Sequence, residues 1–139
     1  MRIKLAETPG EITACYAVIA ELRPHLSLDS FITLVGRMQQ NHSYELAYLD
    51  DNGIKAVAGI RIAEWLYAGK YLEIDDFITT ATERSKGYGK ILFDWTTDYA
   101  RENKCDQLRL VSGTQRADAH RFYLNQGMKF EAKYFSLTL

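Results

Sequence analysis

Cysteine and proline are scarce in this chain, with two of each among its 139 residues. Cys15 and Cys105 are far apart and no C-x-x-C pair occurs, so the sequence does not encode a disulfide framework. We therefore expect two reduced thiols in a cytoplasmic protein. Long apolar runs are also missing, which argues against a helix of about 20 residues that could span a membrane. No apolar run follows Met1, so the sequence does not predict a signal peptide.

Neither sign of charge dominates, because 17 basic residues face 18 acidic ones and the formal net charge is −1. Such a chain has no overall positive field that would attract nucleic acid. Its hydrophobic fraction of 47% is ordinary for a globular protein, and its length suffices for one core without disulfides or metals. We predict a single domain over residues 1–139, with no nucleic-acid or membrane partner and no metal.

Apolar residues recur at helical spacing in four segments and alternate in six others. The expected helices run from Pro9 to about Arg23, from Ser27 past Met38, from about Lys90 to Asn103, and from Asp118 to Gln126. The expected strands are Arg2 to Ala6, Tyr44 to Leu49, Lys55 to Trp65, Tyr71 to Thr79, Asp106 to Ser112, and Met128 to Leu139, the last closing the sheet. Thr8 and Glu11 form a predicted capping box, and Asn52-Gly53 predicts a hairpin turn.

The most informative stretch joins an acidic strand to the third helix through a short basic turn. The turn and the first residues of the helix are Arg84, Ser85, Lys86, Gly87, Tyr88, Gly89 and Lys90. The first amides of a helix have no partner within it, and the helix dipole makes them attractive to phosphate. Glycines let a ligand approach the main chain closely. Neither G-x-x-x-x-G-K-[ST] nor G-x-G-x-x-G occurs, so the turn predicts a different kind of phosphate site.

Two separated motifs resemble those of the GCN5-related N-acetyltransferases. Arg84-x-x-Gly87-x-Gly89 resembles the family's acyl-CoA signature, [Q/R]-x-x-G-x-[G/A]. The later segment from Ala119 through Tyr123 to Gly127 resembles its A-x-x-x-Y-x-x-x-G-F segment, with Met128 in place of phenylalanine. The match extends from about residue 54 to residue 139. It implies an α/β (α+β) domain with a mixed, mostly antiparallel sheet and helices on both faces.

The resemblance also implies acetyl-CoA as co-substrate and assigns roles along the motifs. The amides from Arg84 to Lys90 would hold the diphosphate, and Arg116, where many members carry asparagine, would either reach a cofactor phosphate or only cover the surface. The preceding strand would separate from its neighbour beside a bulge and place Phe77, Ile78 and Thr79 along the pantetheine arm. A free N–H near Ile78 would polarise the thioester carbonyl.

Acetyl transfer to an amine also needs a proton acceptor and a proton donor. Glu73 is the first candidate for the base, with Asp75 and Asp76 as competitors. The alternative is that these acids pair with Arg61, Arg109 or lysines. Tyr123 stands at the position of the family's tyrosine, so the resemblance implies that its phenol either protonates the leaving thiolate or orients the thioester sulfur; the alternative is a core tyrosine. No reactive cysteine is indicated, so the resemblance implies direct transfer without an acyl-enzyme.

The acceptor is left open by the sequence. The acidic strand suggests a cationic primary amine of a small molecule or a peptide. Two other interpretations stay open, namely a non-catalytic acyl-CoA sensor and a toxin-type enzyme acting on aminoacyl-tRNA. Fold analogy also suggests a homodimer formed through the terminal strand.

Overall fold

Five strands and four helices follow one another along the chain in the computed structural model, which describes residues 1–139. The strands are β1 (Arg2–Leu5), β2 (Tyr44–Asp50), β3 (Ile54–Trp65), β4 (Gly69–Thr79) and β5 (Gln107–Leu110). The helices are α1 (Pro9–Leu22), α2 (Leu28–Asn41), α3 (Tyr88–Glu102) and α4 (Ala117–Asn125). They fall into two compact units, residues 1–109 and residues 110–139. No helix combines the length and apolar character that crossing a membrane requires.

The strands form one sheet in the order β1-β2-β3-β4-β5, and β1 to β4 are antiparallel neighbours. At the start of β5, the Asp106 amide donates to the Lys70 carbonyl at 2.7 Å, and further along, Arg109 contacts Glu73. Residue numbers therefore rise together along β4 and β5, so these two strands are parallel. The predicted mixed, mostly antiparallel sheet is confirmed.

The alternation of side chains in β2, β3 and β4 sends apolar residues to both faces of the sheet. One face packs with α1 and α2 in a buried cluster that includes Cys15, Ile19, Phe31, Leu46 and Val57. The strand residues of opposite parity are equally buried, and α3 contributes its own buried residues, Leu92, Phe93, Thr96 and Ala100. Helices thus cover both faces, as predicted.

In the first half of the chain, capping and turn residues place the starts of α1 and α2 and the β2–β3 turn where the sequence predicts them. Thr8 and Glu11 form the predicted capping box, with the Glu11 amide 3.1 Å from Thr8 Oγ1 and the Thr8 amide 3.2 Å from Glu11 Oε1. Ser27 caps α2 by accepting from the Ser30 amide at 3.1 Å. The β2–β3 turn places Asn52 and Gly53 at φ 56° and 111°, the left-handed region that this residue pair tolerates.

A bulge interrupts the pairing of β3 with β4. Gly59 lies opposite Asp76 and Ile60 lies opposite Ile74, so Asp75 is the extra residue. Gly59 is required here because a Cβ at this position would lie 2.0 Å from Tyr44 Oη and 2.4 Å from Asp76 Oδ2. The bulge therefore fixes which acidic side chains of β4 share a face.

The last predicted strand is wrong. After α4, Gly127 takes the expected left-handed conformation at φ 92°, but residues 128–139 form neither strand nor helix. Alternation between apolar and polar residues supplies β-propensity, yet a strand also needs a backbone partner, and this segment has none within the chain. Its large apolar side chains are exposed instead.

Candidate active site

The start of α3 differs from the starts of α1 and α2 because no side chain caps it. Gly87 is the N-cap and takes φ 88°, and the first bond of the helix runs from the Ile91 amide to the Gly87 carbonyl at 3.1 Å. The amides of Tyr88, Gly89 and Lys90 therefore lack a capping acceptor. No atom lies within 4 Å of a Cβ built on Gly87, so its backbone angle, not crowding, calls for glycine.

The cations predicted around this helix start are partly neutralised. Lys86 Nζ lies 2.6 Å from Glu83 Oε2, and Lys90 Nζ lies 2.8 Å from Asp94 Oδ2. Lys86, and then Lys55, lowers the pKa of Glu83. Arg84 and its neighbour Ser85 are exposed, and Ser85 also has a positive φ of 65°. The uncapped amides and Arg84 are thus the groups at this turn best placed for an anion.

Tyr88, the first residue of α3, faces a different partner. Its hydroxyl donates to Asp51 Oδ2 at 2.8 Å, a bond that raises the pKa of the phenol. This contact ties the start of α3 to the β2–β3 turn. It fixes the direction in which the free amides point.

The second half of β4 extends beyond the end of its neighbour β5. The four residues of β5 run parallel to β4 from about Lys70, so they end near the bulge while β4 continues to Thr79. The pairing of β4 with β3 also sets the direction of the amides in the second half of β4. Thr80 donates to Lys55 at 2.9 Å, so Ile78, two residues earlier, turns its own N–H towards β3.

Phe77 and Thr79 therefore direct their amides away from β3. The predicted free N–H near Ile78 is therefore not that of Ile78 itself, and the prediction stays untested. The Ile78 side chain is buried in the cluster beneath α1 and α2, and the Phe77 ring lies edge-on to Phe93 with their centroids 6.3 Å apart.

The three acids of β4 lie together on the sheet face that α1 and α2 cover, and each contacts an arginine. Glu73 Oε2 lies 2.8 Å from Arg109 Nε, and its Oε1 lies 3.8 Å from Arg61 Nη2. Asp75 Oδ2 lies 2.7 Å from Arg61 Nε. Asp76 accepts from Arg23 Nε at 3.0 Å and from the Tyr44 hydroxyl at 2.7 Å. We call this set the arginine–carboxylate cluster: Arg23, Tyr44, Arg61, Glu73, Asp75, Asp76 and Arg109.

Glu73 is buried, and burial raises the pKa of its carboxyl even though Arg109 and Arg61 lower it. A raised pKa suits a general base. Both oxygens, however, already face guanidinium groups, as in the alternative interpretation of pairing with Arg61 and Arg109. The role of Glu73 as base stays a prediction, and so do those of Asp75 and Asp76.

Four members of the cluster were not predicted as site residues. Arg61 and Arg109 were named only as alternative ion-pair partners of the acids, and Arg23 and Tyr44 were not named as partners. Arg109 lies between two aromatic rings, with its guanidinium carbon 3.8 Å from the Tyr71 centroid and 4.1 Å from that of Trp65. Arg23 reaches the cluster from the residue that ends α1, and its Nη2 also donates to the Asp75 carbonyl at 3.1 Å. Both contacts join residues more than 30 positions apart, so no local pattern signals them.

The second unit holds the remaining predicted residues. Tyr123 lies on α4 and is buried, and burial raises the pKa of its phenol while Arg116 lowers it. The phenol therefore keeps its proton at neutral pH, as a proton donor must. Arg116 precedes α4, is half-buried, and donates its amide to the Gly113 carbonyl at 3.0 Å.

Other surface features of the chain do not compete with these groups. Two pockets of about 400 Å³ lie against α2 and between α1 and the β2–β3 turn, away from the cluster residues. No three histidine, cysteine or acidic side chains gather as a metal site would.

The chain combines a mixed sheet that has helices on both faces with a fourth strand that outruns its parallel neighbour and leads to an uncapped helix start. Fold and sequence together place it in the acetyltransferase class. The sequence model of the Acetyltransferase (GNAT) family matches residues 11–128. The chain belongs to this family, and it is an N-acetyltransferase.

Individual relatives agree with this assignment. The chain is similar to the uncharacterized N-acetyltransferase YhdJ of Bacillus subtilis (strain 168), at 36% identity over 97% of this chain and 96% of that one. An aminoalkylphosphonate N-acetyltransferase of Salmonella typhimurium is 26% identical, over 88% of this chain and 81% of its own length. The fold matches the crystal structure of a transcriptional regulator from Bacillus halodurans C-125, with a TM-score of 0.86, 21% identity and 99% of both chains covered.

Proposed function

We propose that this enzyme transfers the acetyl group of acetyl-CoA directly to a primary amine of a small molecule or peptide. The observation that carries the proposal is the uncapped start of α3 after Gly87, at the acyl-CoA signature of the family. Backbone amides and the helix dipole at such a start suit the diphosphate of coenzyme A. The name of the Salmonella relative supports a small amine as acceptor.

The chain's own groups have defined tasks in this proposal. The amides of Tyr88, Gly89 and Lys90 bind the diphosphate, and Arg84 adds an exposed cation beside them. The amide of Thr79, which points away from β3, donates to the thioester carbonyl and stabilises negative charge on that oxygen in the transition state. The strand end thus orients the thioester, while the helix start holds the rest of the cofactor.

Direct transfer is supported by the state of the two thiols. Burial raises the pKa of Cys15 to about 12, and burial likewise raises that of Cys105. Neither is a thiolate at neutral pH, so neither suits a covalent acyl intermediate. The amine therefore attacks the thioester itself, one of the β4 acids or a water takes its proton, and the Tyr123 phenol donates a proton to the departing thiolate. Two unpaired thiols also suit the cytoplasm.

Calorimetric titration with coenzyme A tests the cofactor site. Gly87→Val forces a branched side chain into a left-handed conformation at the helix start, and we expect at least a tenfold loss of affinity. Gly53→Val is the matched control, because Gly53 also has a positive φ and open space around it but lies at the β2–β3 turn. Equal affinity in the two variants, each with a wild-type circular dichroism spectrum, would refute the site.

A further inference from the structure

The acidic and the basic side chains of the arginine–carboxylate cluster differ in their exposure to solvent. The side chains of Glu73, Asp76 and Asp75 are 8%, 15% and 26% exposed, whereas those of Arg109, Arg61 and Arg23 are 28%, 32% and 40% exposed. Each arginine side chain is therefore more exposed than the acid that it contacts. The formal charges cancel, and the arginines are the more accessible partners in these pairs.

The guanidiniums keep donors for a ligand. Each of the three arginines turns its Nε towards a carboxylate, and Nη2 of Arg23 and of Arg61 also faces an oxygen of the cluster. A guanidinium has five N–H donors, so further donors on the terminal nitrogens remain for a ligand. Arg109 is also held between the Tyr71 and Trp65 rings, so little side-chain freedom is lost when it binds an anion. Arg61 on β3 and Arg109 on β5 flank the Glu73 carboxylate, one at each of its oxygens.

We propose that the acceptor carries an anionic group as well as its amine, and that Arg61 and Arg109 bind this group. A carboxylate, phosphate or phosphonate matches the planar fork of a guanidinium through two parallel hydrogen bonds. This inference rests on the proposed function and narrows it. It reverses the expectation, drawn from the acids of β4 alone, that the site selects a purely cationic amine.

Paired acceptors of equal chain length test this proposal through coenzyme A release. We expect kcat/KM for 2-aminoethylphosphonate and β-alanine to exceed that for propylamine by about 10- to 100-fold, because charge-assisted bonds are lost with the plain amine. Arg109→Met should raise KM for the anionic amines by a similar factor, and by much more than it raises KM for propylamine. Arg101→Met, at the exposed end of α3, is the control and should change neither.

Three results would overturn this proposal: equal use of propylamine, an equal loss for both acceptor types in Arg109→Met, or no turnover of any anionic amine by an enzyme that binds coenzyme A. Failure to bind coenzyme A in calorimetry would instead refute the proposed function. Arg109→Lys provides a second variant in case the methionine variant does not fold. Lysine keeps the positive charge but lacks the planar set of N–H donors of a guanidinium. Its KM for the anionic amines should therefore lie between those of the wild type and Arg109→Met.

Discussion

The starts of α1 and α3 solve the same physical problem in opposite ways. At α1, Thr8 and Glu11 satisfy each other's amides in a capping box, and Tyr48 and Lys4 hold the Glu11 carboxylate in place. At α3, Gly87 provides the turn but no acceptor, so the first amides keep their capacity to bind. An uncapped helix start lacks the stabilisation of about 1 kcal/mol that a typical N-cap side chain provides. The difference teaches that the first start serves the fold, whereas the second keeps the amides that the proposed function assigns to binding.

Gly87→Asp tests the difference with the largest expected effect. An aspartate at the start of α3 places a negative charge where the diphosphate should bind, so we expect affinity for coenzyme A to fall by about 100-fold. Gly87→Asn is the matched control, because asparagine has the same shape, tolerates a positive φ and carries no charge. Calorimetry that finds equal affinities for the two variants would show that no anion binds at this helix start.

Thr8→Ala should have a smaller effect, and on stability rather than on binding. Removing the capping oxygen of α1 should lower the free energy of unfolding by about 1 kcal/mol, since one amide loses its acceptor. Urea titration measures this loss, and calorimetry should find an unchanged affinity for coenzyme A. A change in that affinity of tenfold or more would mean that the two helix starts are not functionally separate.

The pH dependence of stability gives the smallest effect. The Tyr48 hydroxyl, and then Lys4, lowers the pKa of Glu11 from 4.5 to about 2. The folded pKa is the lower one, so this carboxylate stabilises the fold fully above about pH 4.5, and the contribution is lost as the pH falls towards 2. Glu11→Gln should remove this part of the acid destabilisation. Urea midpoints at pH 7 and pH 3 that fall equally in both proteins would contradict it.

Local chemistry predicted most of the fold. The capping box at Thr8, the Asn52-Gly53 turn and the glycine that ends α4 each act through a few neighbouring residues, and all three were correct. The tail failed because alternation around Phe130 and Tyr134 measures β-propensity and not the presence of a pairing edge. That edge depends on the rest of the sheet.

The site was predictable only where the chemistry is local. The turn from Arg84 to Lys90 and the acids of β4 were found from the sequence, and Arg61 and Arg109 were named as alternative partners of the acids, but Arg23 was not. Arg23 and Arg109 reach β4 across 53 and 36 positions, and the bulge at Asp75 depends on how β3 pairs. The direction of the amides on either side of Ile78 follows from the register of that pairing, which no short pattern specifies.

Nuclear magnetic resonance of the backbone amides would test the central claim most directly. In a titration with coenzyme A, the resonances of Tyr88, Gly89 and Lys90 should shift strongly, while pantetheine, which lacks the diphosphate, should leave them in place. If these three amides stay unmoved by coenzyme A while resonances elsewhere respond, the start of α3 does not bind the cofactor and the account is wrong.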